Sequence, residues 1–463
     1  MKLLKLGSRA QSKSSTHYRR NAQLYSIPLN EETLIYAPYE KTVAILTKGE
    51  FNHLKAYEFP NSKTPKEFFE AELYIGEGCQ LPFTDKSMDR GAELRPTELI
   101  LTMTNACQLR CKYCHSSSGE LALSLPHVTA DPALFMIGAY PSISRLLFHG
   151  WGEPTLLMPT IRKIVESSRK RITGLDITTN GVYYKRRKEY VDFLVENNFT
   201  VMVSYDGAPD LTDGQRLTAN GESSNSEVIK TINALVRRYN NNKSCDSITV
   251  RITVSKLGER RIPEMVKHLH SMGVRKALIQ PIIPSGRAEN SVCEGASPPD
   301  LYAFSDSLLE AYYIGKEIGF QVSSSLLSFL SKPRCNFCSI APLKAIGLTP
   351  ELKLSACLEY TQNSSPFIVG ELAKENGAFK VRLDEVKIIS LRRRNGNLLD
   401  WCKSCPVKCG GGCAKVSWER HGNITVPGES DAYCDARVET LFKLLKHELL
   451  TSGCTSKTPN LVI

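Results

Sequence analysis

The sequence predicts an α/β protein built on a parallel sheet, with a small α+β module ahead of it and a cysteine-rich extension behind it. Three observations carry that prediction. Apolar, strand-like runs alternate with helical patterns from residue 96 to residue 323. Short β-like runs followed by a helix-like stretch occupy residues 24–57. Beyond residue 324 cysteines become dense, strands short, and Gly and Pro frequent.

Taken in order, residues 1–23 read as a flexible arm, polar and basic. The runs LYSIPL, TLIYA and TVAIL and the helix-like stretch Lys48–Tyr57 open a module spanning residues 24–95. Within residues 96–323 strands are expected at 98–103, 145–149, 174–178, 199–204, 247–254 and 276–282. Between them MPTIRKIVESSRKR, RRKEYVDFLVENN and SEVIKTINALVRRYN carry helical spacing. Alternating β and α units imply a parallel sheet under covering helices, with ligands at the C-terminal ends of the strands. Residues 324–435 form the cysteine-rich extension, and residues 436–463 a last helix, Ala436–Leu450, with a polar tail.

Composition bounds the function. The chain has 463 residues, enough for two or three domains, and ordinary apolar and charged fractions. No apolar stretch approaches the ~20 residues of a membrane span. The N-terminus lacks the apolar core of a secretory signal, so a cytoplasmic location is expected. Fifteen cysteines in such a chain call for a reason other than disulfides. The net charge of +11 could attract an acidic peptide, but no RNA-binding motif or basic–aromatic interleaving accompanies it. Neither nucleic acid nor a membrane is expected as a partner.

The most informative run is TNACQLRCKYCHS, where Cys107, Cys111 and Cys114 are spaced C-x3-C-x2-C after the apolar strand Leu99–Met103, with Tyr113 just before the third cysteine. Three thiolates from one loop can hold three irons of a 4Fe–4S cube and leave the fourth iron open to chemistry. A zinc site, which usually needs four ligands in paired C-x2-C knuckles, is the alternative. Further along come HGWGEP (His149–Pro154), TTNG (Thr178–Gly181) and SYDG (Ser204–Gly207), each at the end of an expected strand. Glycines in such turns let the backbone approach a ligand that a Cβ would block.

These motifs, in this order, resemble the radical S-adenosylmethionine family, and six βα units resemble its partial (β/α)6 barrel. In that family the open iron chelates the amino and carboxylate groups of S-adenosylmethionine, and an electron from the cluster cleaves the molecule to methionine and a 5′-deoxyadenosyl radical. The resemblance implies that Tyr113, Gly150, Gly152, Glu153, Pro154, Thr179, Asn180 and Ser204 border the cofactor. The family turn is commonly GGEP, and Trp151 departs from it. Asp213, Arg216 and Gly221 fit the pattern that follows S-x-DG; Arg216 is a cofactor contact, a solvated loop arginine or a partner of Asp213. Arg251, on a strand where an unpaired charge facing the core would be costly, points either to an anion or to a buried acid. Gln280 is expected beside the adenine.

Downstream lie Cys335, Cys338, Gly347, Cys357, Cys402, Cys405, Cys409, Cys413 and Cys434. Eight thiols suffice for two further clusters of four ligands; a zinc ribbon is the alternative for the run CKSC…CGGGC. The pattern resembles the SPASM extension of peptide- and protein-modifying radical enzymes. That resemblance implies one auxiliary cluster on Cys335, Cys338, Cys357 and Cys413 and another on Cys402, Cys405, Cys409 and Cys434. Two intervals depart from it: three residues separate Cys405 from Cys409 where five are usual, and Gly347–Cys357 is long. Cys79, Cys245, Cys293 and Cys454 read as idle thiols, Cys293 alternatively as a substrate-facing thiol or a swapped ligand.

In the related sulfatase maturases an Asp follows the second extension cysteine and serves as base; here Leu358 and then Glu359 follow Cys357. Glu359 and Asp206 are the candidate bases, each alternatively a structural partner. The resemblance implies a precursor peptide as substrate, an intrapeptide thioether or carbon–carbon crosslink as product, and a flavodoxin- or ferredoxin-type external reductant. A sulfatase-type maturase acting on Ser or Cys, and a non-catalytic electron carrier, are the alternatives. Modules that grip a leader peptide as an added strand precede many such enzymes, and residues 24–95 read either as one of them, winged-helix-like, or as a cap.

Overall fold

The computed structural model describes residues 2–5, 18–20, 23–39, 42–58, 61–66, 68, 73–76, 91–119, 126–241, 247–290, 296–330, 334–359, 365–396, 398–428 and 431–451. Cys79, Cys245, Cys293 and Cys454 lie outside them. The chain divides into two compact units: Met1–Lys86 with Leu326–Phe337 and Asn395–Ile463, and Ser87–Ser325 with Cys338–Arg394.

In the first unit, β1 (Lys2–Lys5), β3 (Tyr25–Leu29), β4 (Glu32–Ala37) and β5 (Thr42–Thr47) form an antiparallel sheet in the order β1-β5-β4-β3. A separate pair joins β2 (Tyr18–Arg20) to β6 (Tyr74–Gly76). Residues 2–5 and 18–20 of the expected flexible arm are therefore strands. The backbone of β1 pairs with the outer edge of β5, and so satisfies polar groups that an open edge would leave to solvent. Helix Lys48–Ala56 starts at a capping box: Thr47 N–H donates to Glu50 Oε2 at 2.8 Å and Glu50 N–H to Thr47 Oγ1 at 3.3 Å. Leu54 of this helix joins Ile35, Ala44, Leu46, Phe68 and Tyr74 in a small core.

The second unit holds one sheet, ordered β13-β12-β11-β10-β9-β8-β7-β14-β15-β16-β17. Strands β7 (Glu98–Thr102), β8 (Arg145–His149), β9 (Gly174–Thr179), β10 (Thr200–Ser204), β11 (Ile248–Val254), β12 (Lys276–Pro281) and β13 (Gln321–Ser323) run parallel. The first six coincide with the expected strands to within a residue or two. Helices Met158–Ser168, Arg187–Glu196 and Asn225–Asn241 fall on the three helical patterns. This is the α/β architecture of a partial barrel.

Residues 345–383 extend the same sheet. The buried run β14 (Ala345–Leu348) lies parallel to β7, and β15 (Lys353–Ser355), β16 (Ile368–Glu375) and β17 (Ala378–Leu383) follow antiparallel. β7 is thereby a central strand, which suits its near-continuous apolar sequence. Along β8, β10, β11 and β12 one face is buried and the alternate face half-exposed, and the half-exposed positions include His149, Ser204, Arg251 and Gln280. Among the described residues no helix is long and apolar enough to cross a membrane.

Candidate radical cofactor site

The loop after β7 carries Cys107, Cys111 and Cys114, and three neighbouring segments grip its backbone. Residues after Gln215 run antiparallel to it: Arg110 N–H donates to Leu217 O at 2.6 Å, Lys112 N–H to Gln215 O at 2.9 Å, and Ala219 N–H to Gln108 O at 3.0 Å. The turn after β8 adds Gly152 N–H to Thr104 O and Glu153 N–H to Ala106 O, both 2.8 Å. From the segment after β12, Arg287 N–H donates to Cys114 O at 3.0 Å and Arg287 Nε to Cys111 O at 2.9 Å. Within the loop, Arg110 Nη1 donates to Cys107 O at 2.8 Å and Nη2 to Gly119 O at 2.7 Å.

The sulfurs themselves receive donors. Leu109 N–H approaches Cys107 Sγ at 3.4 Å and Asn180 Nδ2 at 3.7 Å. Ser118 N–H approaches Cys114 Sγ at 3.5 Å, and the hydroxyls of Ser116 and Ser118 each lie 3.4 Å from it. N–H donors aimed at sulfur orient thiolates and tune what they bind. Burial, with the nearby Glu153 carboxylate, pushes the Cys107 thiol up to about 12. Burial also raises Cys111, against the opposing charge of Arg216. At Cys114 burial is outweighed by hydrogen bonds from Ser116 and Ser118, and the thiol lies below its usual value. Iron would displace these protons, as metals do from coordinating thiols. The donor set therefore fits a three-cysteine cluster. Among the described residues no three His, Cys, Asp or Glu side chains converge closely enough to hold a single metal ion.

Glu153 explains the GWGEP and TTNG turns together. It is 2% exposed. Its Oε1 accepts from Thr155 N at 3.1 Å, Thr155 Oγ1 at 2.7 Å and Thr179 Oγ1 at 2.7 Å, and its Oε2 from Asn180 N at 2.7 Å. One carboxylate thus ties the ends of β8 and β9 together, with Pro154 starting the short helix between them. A Cβ on Gly152 would stand 2.0 Å from Ala106 O, and one on Gly150 3.2 Å from Thr104 O. These glycines bring the turn against the cysteine loop. Gly181, at φ +74°, allows the turn that leaves Asn180 facing Cys107.

Tyr113, Asp206 and Arg216 form a buried triad, 9%, 1% and 6% exposed. The Tyr113 hydroxyl lies 2.6 and 2.7 Å from the two Asp206 oxygens and accepts from Arg216 Nη1 at 2.8 Å. Burial holds the Asp206 carboxyl at about 6, even with the guanidinium beside it. Arg216 Nε is buried without a partner. Neither solvation nor pairing with Asp213 is the arrangement found for Arg216: it is buried and its partners are Tyr113 and Asp206, while Asp213 bonds Ser223. Asp206 is engaged as a structural partner of the loop.

The remaining expected residues lie on the half-exposed face. Ser204 stands beside Arg251 in register between β10 and β11. Gln280 Oε1 accepts from Ser325 Oγ at 2.6 Å. His149, at the end of β8, is held at about 4 by burial, then by the positive charges of Arg251 and His115, with Glu359 opposing. Glu359 therefore lies within electrostatic reach of the β8 end. Trp151 Nε1 donates to Leu358 O at 2.8 Å.

Downstream, six of the eight cysteines fall in the first unit (Cys335, Cys402, Cys405, Cys409, Cys413 and Cys434) and two, Cys338 and Cys357, in the second. In the first unit Gly396 N–H donates to Cys335 O at 2.7 Å and Arg334 N–H to Lys408 O at 2.9 Å, so Cys335 stands beside the 408–413 loop. Gly410, at φ +88°, packs where a Cβ would be 2.3 Å from the Asn336 carbonyl carbon. The fully buried Arg437 reaches Cys409 Sγ at 3.6 Å between the rings of Phe337 and Tyr433. Lys408 lies 6.0 and 5.5 Å from the Tyr25 and Tyr39 rings, and burial lowers its ammonium against the pull of Cys405 and Cys402. In the second unit Cys357 is 6% exposed, its N–H donates to Ser355 Oγ at 3.2 Å, and its carbonyl accepts from that hydroxyl at 2.7 Å.

Four residues that sequence reasoning passed over matter here. Arg110 and Arg287 hold loop carbonyls, and Gly286 at φ +59° brings its segment to within 2.4 Å of His115 O for a built Cβ. Arg437 lines a sulfur. Nothing in a single sequence distinguishes these arginines from solvated ones; only a Ser-Gly-Arg turn at the end of the sixth strand hinted at Gly286.

Residues 101–269 match the model of the radical SAM superfamily. The chain is 25% identical over 256 residues to the cysteine-type anaerobic sulfatase-maturating enzyme of Clostridium novyi, across 50% of this chain and 64% of that one. It spans 51% of another curated relative's length. Among solved structures, native anSMEcpe with bound AdoMet aligns at TM-score 0.61 and 18% identity, over 77% of this chain and 99% of that one. Streptococcus suis SuiB bound to S-adenosylmethionine aligns at TM-score 0.52 and 11% identity, over 90% and 99%. These likenesses are of fold.

Proposed function

We propose, for a chain whose residues 101–269 form a radical SAM domain, that it is a peptide maturase making an intrapeptide thioether or carbon–carbon crosslink. The observation that carries the reading is the cysteine loop, held by the turns after β8 and β9 and by the 215–219 segment, in a chain with eight more cysteines downstream. When bound, the clusters and S-adenosylmethionine would supply a hydrogen-abstracting 5′-deoxyadenosyl radical and one-electron acceptors.

The chain's own residues have separable tasks. Cys107, Cys111 and Cys114 would hold the first cluster, Cys335, Cys338, Cys357 and Cys413 a second, and Cys402, Cys405, Cys409 and Cys434 a third. Glu153 orients the two turns, and Asn180 and the serines orient the sulfurs. Ser204, Arg251 and Gln280 would border the nucleoside on the half-exposed face. Bond formation removes two hydrogens from the peptide, so one proton needs an acceptor. Glu359, half-buried near His149, is better placed for it than Asp206, which is sealed in its triad. The antiparallel sheet of the first unit would grip the peptide's leader along an edge strand, and a flavodoxin- or ferredoxin-type protein would deliver electrons.

A second reading, oxidation of a Ser or Cys side chain as in sulfatase maturation, is favoured by the Clostridium novyi relative. Leu358, standing where those enzymes carry an acid, weighs against it. The test is anaerobic incubation with reductant, S-adenosylmethionine and the peptide encoded beside the gene. Deoxyadenosine and a peptide lighter by two hydrogens and one free thiol are expected for a thioether. An aldehyde that reacts with hydrazide would establish the second reading. Absence of deoxyadenosine would leave only a non-catalytic carrier.

A further inference from the structure

Trp151 stands between the two glycines of its turn, and neither the cysteine loop nor Glu153 uses its side chain. Its backbone belongs to the loop: the Ser116 hydroxyl donates to Trp151 O at 2.9 Å, and the same hydroxyl lies 3.4 Å from Cys114 Sγ. Its indole belongs elsewhere. Trp151 Nε1 donates to Leu358 O at 2.8 Å, across 207 positions of sequence. Indole N–H is a donor with no acceptor capacity, so it fixes one carbonyl in one direction.

The segment it reaches follows β15. Ser355 holds both backbone groups of Cys357, and Ala356 N–H donates to Phe367 O at 2.8 Å. Just beyond Cys357, the Leu358 carbonyl meets the indole of the turn after β8. A Phe in place of Trp151 would keep the ring and lose this contact.

We propose that Trp151 is a positioning residue: its indole N–H pins the Cys357–Glu359 segment to the turn after β8, and so sets Cys357 and Glu359 in place relative to the radical-generating loop. The consequence for turnover rests on reading Cys357 as an iron ligand; the pinning itself does not. In the absence of the N–H, radical cleavage and peptide modification should come apart, because the segment that must meet the substrate loses a directed contact with the turn beside the loop that generates the radical.

The test compares wild type with Trp151→Phe, both reconstituted anaerobically. Amide exchange at residues 357–359 should rise about tenfold in the variant, while β9 and β10 keep their protection. Modified peptide per deoxyadenosine should drop about fivefold. Unchanged exchange at 357–359 would overturn the proposal, because the ring alone would then suffice. Raised exchange with an unchanged product ratio would overturn its link to turnover. The iron content of Cys357→Ala reports separately on the reading of Cys357: undiminished iron there would remove that reading and leave the exchange result standing.

Discussion

Cys107, Cys111 and Cys114 sit in one loop of one compact unit, whereas the downstream cysteines come from several segments and fall in both units. The first group is close in sequence, so its chemistry can be read from spacing. The second is assembled by folding: Cys335 meets the 408–413 loop through backbone bonds, and Cys357 is placed by β14, β15 and Ser355. The grouping of the first set is a property of a motif; the surroundings of each downstream cysteine are a property of the unit that holds it. The difference predicts that damage to the loop stays local in sequence, while damage to the downstream set travels through packing.

Legibility follows the same division. Six parallel strands were readable because each is a short apolar run between turn residues, and the helices because their apolar faces recur at helical spacing. The turns at the strand ends were readable for the same reason. The continuation of the sheet into β14–β17 was not, because an edge strand declares its partner only in three dimensions. Nor was the triad of Tyr113, Asp206 and Arg216, whose members are 93 and 103 positions apart. The glycines of GWGEP were legible as close-approach positions; that their neighbour is the cysteine loop itself was not.

The largest effect expected is from the local site. Replacing Cys107, Cys111 and Cys114 together with Ala should remove about four irons and abolish deoxyadenosine formation, with the downstream clusters retained. Loss of most of the iron in that variant would show the two regions to be interdependent.

Next comes pH. Burial holds His149 at about 4 instead of 6.5. The unfolded chain takes up this proton first, so the stability it contributes is present above pH 6.5 and is lost as pH falls toward 4, by about 3 kcal/mol. Asp206, raised to about 6, acts in the opposite sense over the lower part of that window. The check is therefore a difference: wild type minus His149→Asn, by urea unfolding at each pH. A flat difference from pH 7 to 4 would contradict the burial of a neutral imidazole.

Gly152→Ala should cost about 1–3 kcal/mol, because its methyl would meet a backbone oxygen rather than a movable side chain. It should also lower iron at the first loop selectively. The smallest effect belongs to the half-exposed pair Lys353–Glu371 at 2.6 Å on β15 and β16. Breaking it should change stability by less than about 1 kcal/mol and leave iron content untouched.

The most direct measurement is the metal content of the anaerobically reconstituted chain, by elemental analysis together with native mass spectrometry. Three cubes predict about twelve irons per chain and no stoichiometric zinc. About four irons accompanied by stoichiometric zinc would contradict the account of the downstream cysteines and leave the loop at Cys107, Cys111 and Cys114 as the one iron–sulfur site.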